Sequence, residues 1–163
     1  MIVGIDPSSF SLAAAVIGSK GTTIRSVAKI ELRKKGKKWS PQQAHDVKTA
    51  IDTLLVDTLG VGVKDVVYME EPVFSRAHDA TVVQSYVSGI VQSVVSGTGC
   101  RIVLVNNMVW KKTVIGMGNA KKEDTIRVLT EQHGERLVRF CGTDSDLWDA
   151  AGVALFGAIA EGG

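Results

Sequence analysis

The chain is poor in the residues that staple or metallate small domains, with two cysteines, Cys100 and Cys141, and three histidines, His45, His78 and His133, in 163 residues. The cysteines lie 41 positions apart and no CxxC or Cys/His spacing occurs, which excludes a disulfide framework and a structural zinc site. They read as small apolar side chains in a reducing compartment, so a cytoplasmic location is expected. The histidines read as surface or hydrogen-bonded residues, and His78 alone is near enough to Glu70 in sequence to count as an acid–base candidate. No run of 18 apolar residues is present, which excludes a spanning helix, and no basic segment precedes an apolar one at the start, so neither a membrane partner nor export is expected. Neither sign of charge dominates: 19 Lys and Arg stand against 17 Asp and Glu, a net of +2. With 45% hydrophobic and 22% charged residues the chain is not disordered. No linker, repeat or low-complexity stretch divides it, so residues 1–163 are expected to form a single domain with a core of its own.

The elements follow from periodicity. MIVGI, residues 1–5, is a buried strand that ends on Asp6 and the turn Pro7-Ser8-Ser9. LAAAVI, residues 12–17, is a second strand. Residues 22–32 alternate as a third, with Ile24, Ser26, Ala28, Ile30 and Leu32 on one face and Arg25, Lys29 and Glu31 on the other. Short loops make these three an antiparallel meander. Ser40 and Pro41 supply an N-cap and first-turn proline for a helix through about Thr58, and Gly60-Val61-Gly62 ends it. A strand over 63–70 ends on Glu70-Glu71-Pro72. The apolar pairs of 79–96 recur every four residues, which predicts a helix despite its valines. A strand over 101–105 follows, then helices over 107–114, 120–133 and 145–160. This order predicts an α/β fold, a five-stranded mixed sheet of antiparallel meander plus parallel strands, flanked by helices.

The chemistry lies in where the acids fall. Asp6 ends the first strand, Glu70 the fourth, and Asp146 and Asp149 are three apart at the start of the last helix, on one helix face. With strands one and four adjacent, these carboxylates converge where such sheets bind ligands. A cluster of this kind repels itself unless it holds divalent cations, and hard oxygen donors suit Mg²⁺ or Mn²⁺. Two such ions per site are suited to phosphoryl displacement. Taken singly, Asp6 could cap a turn, and Asp146 and Asp149 could satisfy a helix N-terminus. Their joint placement favours the site.

Four segments then resemble a known family. Gly4-Ile5-Asp6-Pro7, Met69-Glu70-Glu71-Pro72-Val73-Phe74, the stretch from Lys111 to Lys122 (KKTVIGMGNAKK) and Asp146-Leu147-Trp148-Asp149-Ala150-Ala151 are similar to RuvC-type Holliday junction resolvases of the ribonuclease H-like and retroviral integrase superfamily, in the form found in phages and other viruses. The resemblance covers nearly the whole chain, and the Lys111–Lys122 segment is its most specific part. It implies a ribonuclease H-like fold and four catalytic, metal-binding acids at Asp6, Glu70, Asp146 and Asp149. Glu71 competes with Glu70, but the family's acid directly follows an apolar strand residue, as Glu70 follows Met69. The chain departs from the family in having Ser8 where glycine usually follows Asp-Pro, and in one extra residue between Glu70 and Phe74. Val73 and Phe74 therefore compete for the family's base-stacking role, and an aromatic is the better wedge.

DNA contacts are expected from several places. By resemblance, Lys111 and Lys122 contact phosphates, with Lys112 and Lys121 behind them, and Gly116 and Gly118 let the loop approach the backbone. Residues 33–38 (RKKGKK) hold five positive charges, and removing them turns the +2 total into −3. Lys34, Lys35, Lys37 and Lys38 are accordingly placed on a DNA arm, with a solvated loop as the plainer reading. The 79–96 helix is apolar over more than one sheet contact needs, and Ser85, Ser88 and Gly89 would permit close helix approach. Together with the resemblance this implies a homodimer, whose two-fold axis would match symmetric nicks in a four-way junction.

The expected activity is that of a metal-dependent, structure-selective crossover junction endodeoxyribonuclease acting on four-way and other branched DNA and leaving 5′-phosphate ends. A ribonuclease H-like enzyme acting on RNA or RNA–DNA hybrids shares the acids. A non-catalytic junction-binding module is a third reading, disfavoured by the intact acids. An actin-like ATPase begins similarly but needs two such domains, more than 163 residues supply. A helicase partner is left open.

Overall fold

Alternating apolar strands and amphipathic helices assemble as three layers in the structure, a computed structural model that describes residues 1–18, 21–33, 39–72 and 78–162. Strands β1 (Ile2–Pro7), β2 (Ser11–Ile17), β3 (Ile24–Glu31), β4 (Val66–Glu70) and β5 (Arg101–Val105) form one sheet in the order β3-β2-β1-β4-β5. The β1–β2 and β2–β3 pairs are antiparallel, whereas β1–β4 and β4–β5 are parallel. The mixed sheet is the one the meander and later crossovers predict.

The two faces carry different helices. Val3, Ile5, Leu12, Ala14, Val16, Val67 and Met69 pack against α1 (Pro41–Asp52), the π-helical turn Thr53–Thr58 and α2 (His78–Gly97). Ile2, Ala13, Ala15, Ile17 and Tyr68 pack on the other side against α3 (Asn107–Val114), α4 (Lys122–Cys141) and α5 (Ser145–Ala160). Helix α5 is buried over most of its length, which its small residues permit. A Cβ at Gly4 would strike the α5 backbone at Ala150 and Ala154, so glycine on β1 sets how closely α5 lies over the sheet. Among the described residues no helix is long and apolar enough to cross a membrane. Cys100 and Cys141 are buried and unpaired, and burial pushes the Cys141 thiol up to about 12.

Four expectations are corrected. The 40–58 helix divides, α-helical to Asp52 and then π-helical, and the wider turn buries consecutive Leu54 and Leu55. β4 starts at Val66 because Asp65 closes a turn, its carboxylate accepting from Gly62 N at 2.9 Å and from the N-terminus at 2.6 Å. Helix α4 does not stop at His133. Gly134 takes φ 68° and kinks it, after which Leu137 and Cys141, buried four residues apart, continue the packed face. In β3 the single apolar face is broken by a bulge: Ile17 pairs Ile24 but Val16 pairs Ser26, which leaves Arg25 extra. Ile24 consequently joins the α5 side, while Ala28 and Ile30 pack on the α1–α2 side.

Candidate active site

Strand parity selects which acids face α5. Tyr68 of β4 belongs to the core on the α5 side and Met69 to the opposite one, so Glu70, two residues past Tyr68, returns to the α5 side and Glu71 does not. Ile2 and Gly4 of β1 likewise face α5, and Asp6 continues their row. Ile5 lies opposite Met69 in the parallel register, so Asp6 and Glu70 leave adjacent strands side by side. The first turns of α5 bring Asp146 and Asp149 over them, and Asp144 caps that helix by accepting from Asp146 N at 3.0 Å. All four sequence-predicted acids are thus brought together.

Their charges act on one another. Burial holds the Asp6 carboxyl well above the usual carboxylate range, reinforced by Glu70, Asp149 and Asp146 and opposed by Lys122. Asp149 is raised to about 6, chiefly by burial, with Lys111 pulling it down and Glu70 pushing it up. Asp146 is lowered even though burial acts the other way, because Lys29 bonds it and Lys122 and Ser11 stand beside it.

Each acid has its own surroundings. Glu70 is buried, its Oε2 accepting from Trp110 Nε1 and its Oε1 from Asn107 Nδ2, both at 2.7 Å. Asp146 Oδ2 accepts from Lys29 Nζ at 2.8 Å and Ser11 Oγ at 3.2 Å, and Lys122 Nζ lies 3.6 Å from its Oδ1. Asp149 Oδ1 is buried and has no hydrogen-bond partner among the described residues. A buried carboxylate oxygen with no donor is costly unless it is protonated or meets a cation. Together with an all-oxygen, all-carboxylate donor set, it fits a hard divalent ion such as Mg²⁺ or Mn²⁺. As the side chains stand, no three of the described acids close on one point, since Glu70 and Asp146 are held by donors of the protein itself.

The other predicted residues are placed unevenly. Lys122 is exposed at the rim, donating to Ser145 Oγ at 2.7 Å. Lys111 is not a surface lysine: it is buried, over the Trp110 ring, with its charge acting on Asp149. Glu71 meets Asn106 at 3.5 Å, away from the cluster. Phe74, Val73, Lys34, Lys35, Lys37 and Lys38 lie outside the described residues, as does the side chain of His78. Sequence reasoning missed Trp110, Asn107, Lys29 and Ser11. Asn107 and Trp110 are one helical turn apart on α3, a signal that could have been read. Lys29 could not, because the Arg25 bulge decides which way it faces.

No family model matches the chain, and no curated protein matches it. Solved structures do. A Thermus thermophilus RuvC in complex with a Holliday junction substrate superimposes with a TM-score of 0.77 at 20% identity, covering 98% of this chain and 93% of that one. A second Thermus thermophilus RuvC structure gives 0.69 at 18%, over 98% and 94% of the two chains. The yeast mitochondrial Holliday junction resolvase Ydc2 gives 0.69 at 12%, over 95% and 76%. The chain, with its five-stranded mixed sheet flanked by helices, thus has the fold of these RuvC structures.

Proposed function

We propose that the chain is a divalent-cation-dependent endonuclease that resolves four-way DNA junctions, and acts on other branched DNA, as a homodimer in the cytoplasm. The observation that carries this reading is the gathering of Asp6, Glu70, Asp146 and Asp149 under the start of α5, with Asp149 Oδ1 meeting no donor among the described residues. The shared fold with a RuvC that has been solved on a junction supports the substrate.

Asp6, Glu70, Asp146 and Asp149 would hold two Mg²⁺ or Mn²⁺ ions. When bound, these supply positive charge against the phosphate and lower the pKa of water at the site. Trp110 and Asn107 each donate to one oxygen of the Glu70 carboxylate and so orient it toward the site. Lys122 at the rim attracts a phosphate, while Lys111 keeps Asp149 ionisable from beneath. Phe74 takes the stacking role at the branch, and Lys34, Lys35, Lys37 and Lys38 follow a DNA arm. Ser85 is exposed on α2 and Gly89 has open space where a Cβ would lie, so these two remain on the face assigned to a second copy, beside Tyr86, which stacks on Trp39; Ser88 is buried within the chain and is not part of that face. Two sites related by a two-fold axis would nick symmetrically and leave 5′-phosphates.

The test is a cleavage panel with Mg²⁺ or Mn²⁺ on labelled four-way junction, flap, fork, linear duplex, RNA and RNA–DNA hybrid. Junction nicking abolished by Asp6→Asn, with junction binding retained, is the expected result. Preference for hybrid, equal cleavage of linear duplex, or no cleavage of any branch overturns it.

A further inference from the structure

Lys29 stands where nothing in the motif pattern places a charge. Its Nζ is 2.8 and 2.7 Å from the two oxygens of Asp144 and 2.8 Å from Asp146 Oδ2, so three carboxylate oxygens surround an ammonium that has three N–H donors. The two acids differ in freedom. Asp144 is fixed as the α5 cap through its bond from Asp146 N, whereas the Asp146 side chain is held by Lys29, Ser11 and, at longer range, Lys122. The lysine reaches them because the Arg25 bulge turns it to the α5 side, where its strand partner is Ala13, too small to obstruct it.

We infer that Lys29 is an internal counter-cation that competes with the divalent ion for Asp146. In the cation-free protein it holds Asp146 apart from the other acids, in keeping with the absence of any three described acids around one point. When Asp146 turns to a divalent ion, Lys29 stays docked on Asp144. The ammonium thus offsets the repulsion of four gathered acids while the site is empty of cations, and it weakens their capture. This rests on the cation-binding reading above. A lysine that instead pinned Asp146 in its working position would strengthen capture, so the two roles differ in sign.

The measurement is Mn²⁺ affinity by electron paramagnetic resonance, without DNA, on wild type, Lys29→Met, Lys29→Gln, Lys29→Arg and Asp6→Asn, each checked for folding by circular dichroism. Lys29→Met should bind Mn²⁺ roughly three- to tenfold more tightly, the range expected for a lost partly buried ion pair. Lys29→Arg should stay near wild type, and saturating Mn²⁺ should raise the melting temperature more in Lys29→Met than in wild type. If Lys29→Met does not fold, Lys29→Gln carries the same comparison. Equal or weaker binding by a folded neutral variant, with wild type binding and Asp6→Asn not, overturns the inference alone. No Mn²⁺ binding by wild type, or undiminished binding by Asp6→Asn, overturns the cation site and the inference with it.

Discussion

Trp110 donates its indole N–H to Glu70 Oε2 across 2.7 Å, and both residues are buried. The one aromatic side chain of α3, fully buried, is therefore also the clamp on an acid of the site. Trp110→Phe keeps an aromatic ring near Gly152 but leaves a buried carboxylate oxygen without its donor, which costs about 1–3 kcal/mol. We expect the melting temperature to fall by roughly 3–10 °C. Junction cleavage should slow about tenfold with junction affinity unchanged. Calorimetry and single-turnover nicking check the two halves.

Without divalent ions, stability should fall as pH rises. Asp149 is raised to about 6 and Asp6 also lies above its ordinary value, so between the ordinary carboxylate range and pH 6 the folded chain binds more protons than the unfolded one. Asp146 has the opposite sign, but its contribution is lost only below the ordinary carboxylate range. In EDTA the melting temperature should therefore drop by about 5 °C or more from pH 5 to pH 7. Saturating Mg²⁺ should remove or reverse the slope. A melting temperature that rises with pH in EDTA contradicts this.

Lys111 is the largest influence pulling Asp149 down. Lys111→Met should push the Asp149 carboxyl further up and move the acid limb of the pH–rate profile by roughly one pH unit. Near pH 6 the loss should be about tenfold, shrinking to a few-fold at pH 8.5. An equal loss at every pH would mean that Lys111 acts only on DNA.

Gly4→Ala tests the seat of α5. The added methyl meets the backbone at Ala150 and Ala154, which cannot yield without lifting the helix that carries Asp146 and Asp149. We expect a loss of about 1–3 kcal/mol or more and cleavage reduced beyond what the stability loss explains. Differential scanning calorimetry beside the nicking assay separates the two.

Much of the fold was legible because the strands carry continuous apolar runs and the helices clear periods. The Ser40 cap is one example, its Oγ accepting from Gln43 N at 3.2 Å as the Ser-Pro pair predicts. The gathering of the four acids was legible from strand ends and one helix face. The donors that hold those acids were not. Lys29 reads as one of three alternating solvent residues until the bulge is known, and a bulge leaves no mark in a period-two pattern. Lys111 reads as a phosphate ligand by its motif, yet it is buried, since helix rotation rather than residue type decides which neighbour of Trp110 turns inward. The helix beyond Gly134 was lost because glycine is a stop signal, and only tertiary packing of Leu137 and Cys141 restarts it.

The bulge at Arg25 makes the third strand a counting register. Were Arg25 paired opposite Val16 instead of bulged out, Ala28 would stand opposite Ala13 and be offered to Asp144 and Asp146 in place of an ammonium, with no change to any acid of the site. A related chain could thus gain or lose this counter-charge by gaining or losing the bulge, and its demand for divalent ions would be set at the start of β3, in a hairpin that carries none of the acids that bind them.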